Sequence, residues 1–145
     1  MKILCLAGIL CLSGSTVYGH LTYLPGDTVK AYNQFVSAQK LFSAQKFTGA
    51  AEEYLKAAEI YKANKAWKRY VASLVEAGNS YRKAREFDKG IQILDLAEKE
   101  IGNNLNAEDE LLSLLFYRRG FCYHQKGLTS KAINDYKNAI KYRLQ

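Results

Sequence analysis

The chain has 145 residues, 24% of them charged, a net charge of +7 and three cysteines. That length supports one domain with its own hydrophobic core, held by neither a disulfide framework nor a structural metal. The single proline, Pro25, and the 11 tyrosines in an Ala-, Lys-, Leu- and Glu-rich background argue for an all-helical domain. Acidic and basic residues are interleaved, as at Glu52 and Lys56 one helical turn apart, so the positive balance reads as solvated helix faces rather than a nucleic-acid surface. Its local excess sits at Lys62, Lys65, Lys68, Arg69 and at Arg82, Lys83, Arg85.

Residues 1–19 have the three-part layout of a secretory signal peptide. Lys2 precedes an apolar run from Ile3 to Leu12, then Ser13-Gly14-Ser15-Thr16, and Val17-Tyr18-Gly19 sets small residues for a cut after Gly19. The mature chain would begin at His20 and be exported, to the periplasm or outside the cell. The apolar run is about half of what a membrane span needs, and no later stretch approaches one. Cys5 and Cys11 leave with the signal, so Cys122 remains alone and forms no internal disulfide.

Residues 20–26 form an irregular lead ending in the turn pair Pro25-Gly26. Asp27 is expected to cap the first helix. Apolar periodicity and turn residues predict helices at about 27–45, 48–63, 66–84, 88–101, 107–126 and 130–143. Gly102-Asn103-Asn104 reads as a helix stop. Asn106 reads as the next N-cap, with Glu108, Asp109 and Glu110 in the first turn.

The helical region repeats internally. Phe116-x-x-Arg119-Gly120-x-x-Tyr123 is followed by Ala132-x-x-x-Tyr136-x-x-Ala139. The same offsets occur in Leu74-x-x-Ala77-Gly78-x-x-Tyr81 with Gly90-x-x-x-Leu94-x-x-Ala97. A third copy is Gln34-x-x-Ser37-Ala38-x-x-Leu41 with Ala50-x-x-x-Tyr54-x-x-Ala57. The copies start 40 and 42 residues apart. Small residues at Ala38, Gly78 and Gly120 would let the helices of a hairpin approach. Ala50, Gly90 and Ala132 would face the first helix, and Tyr54, Leu94 and Tyr136 would pack on the next hairpin. Thr48, Asp88 and Ser130 fall at one place in all three copies and are expected N-caps.

These motifs resemble the tetratricopeptide signature, in which a Trp-x-x-Leu-Gly-x-x-Tyr block precedes Ala-x-x-x-Phe and a closing proline. The resemblance implies an all-α fold, a right-handed α-solenoid of about three helix hairpins over residues 27–145. The departures are Arg119 and Ala77 in place of Leu, no Trp at the first position, no closing proline, and a period above the standard length. Longer repeats are familiar from the kinesin light chain and SNAP-type variants. The stretch from Ala50 to Leu94, with Trp67, is also similar to the N-terminal repeats of secreted bacterial proteins carrying a CHAT protease-like domain. That similarity implies an alternative, the sensor or scaffold part of a larger protein.

In such arrays the first helix of each hairpin lines a concave groove, so the resemblance implies an interaction module for a protein or peptide partner. The implied binding residues are Tyr32 and Gln39 in the first hairpin, and Glu76, Asn79, Arg82 and Lys83 in the second. The third supplies Tyr117, Arg118, Phe121, His124 and Gln125. Aromatic, amide and cationic groups in one-turn spacing suit an extended or helical peptide of some acidic character. The chaperone-tail clamp of the family is not expected, because Phe35, Gln39 and Leu114 stand where it needs Asn and Lys. A module for an anionic envelope surface is the remaining alternative, with steep salt dependence.

Catalytic chemistry is not expected. Cys122 and His124 are two apart on a helix and point apart, so they form no dyad, and Cys122 reads as a small core residue. No zinc, phosphate-loop or nucleophile-elbow motif occurs, and no cofactor is implied. Asp109 and Glu110 are helix-start charges. At the far end, Ile133, Tyr136, Ile140 and Tyr142 would leave apolar surface open, which suits self-association there or continuation into a longer protein.

Overall fold

The computed structural model describes residues 26–106 and 108–144. The predicted signal peptide, and all but the last residue of the predicted lead, lie outside them. Every secondary-structure element among the described residues is an α-helix. They are α1 (Gly26–Ser43), α2 (Phe47–Ala63), α3 (Trp67–Lys83), α4 (Phe87–Asn104), α5 (Asp109–Gln125) and α6 (Thr129–Arg143). Each packs against its neighbours in the chain, and α3 also touches α5. The fold is all-α, three successive hairpins consistent with a helical repeat array. No helix among the described residues is long and apolar enough to cross a membrane.

The repeat is most regular at the turns. α1/α2, α2/α3, α3/α4 and α5/α6 are joined by one geometry, with a left-handed residue at Gln45 (φ 59°), Lys65 (55°), Arg85 (63°) and Gly127 (73°). The N–H three residues past each of these helices donates back to the carbonyl five residues earlier: Lys46 to Leu41, Ala66 to Tyr61, Glu86 to Tyr81 and Leu128 to Tyr123, all at 2.9 Å. The preceding N–H donates to the carbonyl three back. This is the Schellman closure, which satisfies orphan carbonyls at a helix end. A cation then lies over the tyrosine that accepts the long bond. Arg69 covers Tyr61 at 5.9 Å, Lys89 covers Tyr81 at 5.4 Å and Lys131 covers Tyr123 at 5.4 Å. Of the cationic runs in the sequence, Lys65 and Arg85 therefore belong to turns and Lys62 and Arg69 to tyrosine faces. The α4–α5 link is different. It passes through extended Leu105 and spaces the helix starts 22 residues apart, against 20 for α2 and α3. Those two additional residues account for the copy spacing of 42 instead of 40.

The expected side-chain caps do not form. Thr48, Asp88 and Ser130 are each the second residue inside a helix, and Asp27 is likewise inside the first turn of α1. The residues at the cap positions are Lys46, Ala66, Glu86 and Leu128, with φ between −82° and −87° and ψ between 62° and 65°. That backbone is not the extended one from which a side chain reaches the N–H groups of the first turn. Glu108, not Asn106, precedes α5, and its carboxylate pairs with Lys68 at 3.0 Å. Thr48 instead donates from its hydroxyl to Glu86 at 2.6 Å, and Asp88 pairs with Lys126, so both tie one hairpin to the next turn. α4 also runs past the expected stop to Asn104. Lys56 pairs with Glu53 at 2.6 Å, one residue from the expected Glu52.

Inside each hairpin a small residue meets a large one sixteen positions on. A Cβ at Gly78 would lie 2.6 Å from Leu94 Cγ, and one at Gly120 would lie 3.0 Å from the Tyr136 ring. Leu94 and Tyr136 therefore fill the hollow beside their own hairpin's glycine, and Leu94 also joins Leu115 and Phe116 of α5 in one core cluster. Tyr54 likewise meets Phe35 of α1 edge-on at 4.9 Å and joins Ala38, Ala50 and Ala77 in one cluster. Gly90 faces the Gly78 carbonyl at 3.3 Å and the Cys122 sulfur at 3.4 Å, measured from a Cβ placed there. The main core runs through Tyr61, Tyr70, Val71, Leu74, Val75, Leu94, Leu115 and Phe116.

Candidate functional site: the face between α3 and α5

The α3–α5 contact builds a polar and aromatic face. Arg118 of α5 donates from Nη1 to the Val75 carbonyl at 3.0 Å and from Nη2 to Glu76 Oε1 at 2.9 Å. One turn along, Arg82 of α3 donates from Nε at 3.2 Å and Nη2 at 2.7 Å to the same atom, Asn79 Oδ1. Its guanidinium lies 4.8 Å from the centre of the Phe121 ring. Tyr117 stands 53% exposed beside this pair, its ring 6.1 Å from Tyr136 of α6. Beneath lies Tyr54 of α2. Burial raises its hydroxyl pKa to about 12; Glu76 adds to the rise and Arg118 opposes it.

Six of the residues expected to bind are thus brought together: Glu76, Asn79, Arg82, Tyr117, Arg118 and Phe121. Asn79 does not face outward, being 8% exposed, and serves to orient Arg82. Arg118 and Glu76 satisfy each other, so they fix the α3–α5 spacing more than they offer free charge. Tyr32 and Gln39 are exposed on α1, and Lys83, His124 and Gln125 are exposed in the last turns of α3 and α5. No contact draws these five into the cluster.

An adjoining cleft of about 450 Å³ opens between α5 and α6, lined by Ser113, Leu114, Tyr117, Tyr136, Ala139, Ile140 and Arg143. Tyr142, expected on the open surface, instead stacks on Phe116 at 5.6 Å, while Ile133, Ile140 and Leu144 are exposed. Sequence reasoning missed Tyr54, Leu114 and Arg143 as parts of this face. The exposed pairing of Leu114 with Tyr117, three residues apart on one helix, was the available signal.

The Cys122 thiol is fully buried, and burial raises its pKa to about 11 despite the opposing charge of Arg82. It is a packing group between Gly90 and Arg82, protonated at neutral pH. This face presents a held guanidinium, aromatic walls and an apolar cleft. No protein-family model matches the chain, and no curated protein matches it.

Proposed function

We propose that this chain is an exported protein-interaction module of tetratricopeptide type, without enzymatic activity, that binds a segment of another protein across the α3–α5 face. The observation that carries the reading is the Arg82 cluster. Asn79 and Phe121 hold a half-buried guanidinium in one orientation beside exposed Tyr117, and rigid aromatic and arginine groups are the usual anchors of protein recognition. The export part of the reading rests on Lys2, the apolar run from Ile3 to Leu12 and the small residues up to Gly19. A test is to capture partners on the immobilised chain, identify them, and measure the dissociation constant of a purified one against wild type and Arg82→Gln/Tyr117→Ser. Binding weakened in the double variant, with an unchanged thermal melt, supports the reading. Unchanged affinity sinks the assignment of this face.

A further inference from the structure

Arg82 differs from the other arginines of this region in how its charge is met. Arg118 has Glu76, and Arg119 has Asp95, Glu98 and Asp135. Both hydrogen bonds of Arg82 go to one neutral oxygen, Asn79 Oδ1, and its other close neighbour is the Phe121 ring. A guanidinium has five donors, so three remain for a ligand, fixed in a plane that matches a carboxylate. Burial and the like charge of Arg118 both disfavour this cation, and an arriving anion would relieve both.

The apolar cleft between α5 and α6 shares Tyr117 and Tyr136 with the surroundings of Arg82. On the α6 side Arg143 lines the cleft, and Lys137 and Lys141 are exposed on the same helix, while Asp109 and Glu110 of α5 line the adjoining hollow beside Leu114 and Arg143 at the end away from Arg82. Asp135, the sole acidic residue of α6, is buried on Arg119 and neutralises none of these α6 cations. The charge also chooses between occupants. A second copy docked by its α6 would bring Arg82 no free carboxylate, because the one acid of that helix, Asp135, is held by Arg119. Docked on the outer face of α1, it would meet Lys30, and the nearby Glu53 is already bonded to Lys56 and Gln34.

We infer that the occupant is an acidic, apolar-anchored peptide segment: a carboxylate on the free donors of Arg82 and, at fixed spacing, a large apolar side chain between Leu114 and Ile140. This inference rests on the proposed peptide-binding reading and specifies its ligand. The test is selection of random dodecapeptides displayed on phage against the full chain. Enriched sequences should carry Asp or Glu at constant spacing from Leu, Ile, Phe or Trp. A resynthesised peptide should lose about tenfold in affinity or more when its acid is replaced by the amide, the weight of a charged hydrogen bond. Arg82→Gln should abolish that difference and Arg82→Lys should keep part of it. Leu114→Ser/Ile140→Ser should weaken the acid and amide peptides equally. Acid and amide peptides binding wild type alike, yet blocked by Tyr117→Ser, would overturn the carboxylate assignment and leave the peptide-binding reading standing. No enrichment at all would sink both. Binding to phosphatidylglycerol vesicles that Ile140→Ser releases, without acidic peptides enriched, would overturn the inference in favour of a membrane surface.

Discussion

Arg119 and Asp135 form a bidentate ion pair, Nε to Oδ2 at 2.8 Å and Nη2 to Oδ1 at 3.0 Å, with the Asp135 side chain 3% exposed. Arg119 stands where the repeat pattern expects leucine, so a core position holds a charge. Asp95 at 2.7 Å and Glu98 at 2.5 Å, both from α4, complete its surroundings, and one side chain links α4, α5 and α6. Burial alone would lower the Arg119 pKa; Asp135 and Glu98 outweigh it and raise it.

Removing Arg119 alone therefore strands a buried carboxylate. Arg119→Met should cost about 3 kcal/mol or more in urea unfolding, because an uncompensated buried charge is expensive. Adding Asp135→Leu should restore most of that loss. Asp95→Ala and Glu98→Ala should each cost about 1 kcal/mol or less, since those carboxylates are substantially exposed. A double variant no more stable than Arg119→Met would contradict the pairing.

The left-handed turn residues give a second prediction. Gln45, Lys65 and Arg85 have a Cβ in a conformation that costs non-glycine residues about 1 kcal/mol. Gln45→Gly, Lys65→Gly and Arg85→Gly should each raise stability by up to about 1 kcal/mol, and Gly127→Ala should lower it comparably. Thermal melts of the four variants decide it, and glycine variants that all destabilise would argue against the shared turn.

Glycines in the hairpins separate by their neighbours. Gly78→Ala drives a methyl into Leu94 and should cost about 1–3 kcal/mol. Gly102, with nothing within 4 Å, should gain up to about 1 kcal/mol as Gly102→Ala. The reverse order in chemical unfolding would refute the hairpin contact.

Alkaline pH should unfold the chain through two buried groups. The folded pKa of Cys122 is raised to about 11, against about 8.5 in an unfolded chain, so burying the neutral thiol contributes stability below about pH 8.5. That contribution disappears as pH rises through about 11. Tyr54 behaves likewise, between about 10 and about 12. Melting temperature should fall over that window, less steeply in Cys122→Ala. A flat profile to pH 12 would be the contrary result.

Much of this organisation was legible in the sequence, for a physical reason. Gly78 with Leu94 and Gly120 with Tyr136 are paired by steric need, and such need imprints fixed offsets on a chain. The helix starts were less legible. Thr48, Asp88 and Ser130 resemble caps by composition, but the turn is closed by backbone bonds around residues as unremarkable in sequence as Gln45 and Lys65. The α3–α5 face, the proposed binding surface, was legible where helix periodicity governs it, at Arg82, Tyr117 and Phe121. It was not legible where tertiary contacts do, since only the fold shows that Asn79 turns inward and that Arg118 is already matched by Glu76.

Hydrogen exchange on the chain saturated with a purified partner or a selected peptide tests the central claim most directly. Binding across the α3–α5 face predicts slowed exchange in residues 75–83 and 113–125, with α1 unchanged. Protection confined to α1 and α2, with α3 and α5 exchanging as in the free chain, would contradict it.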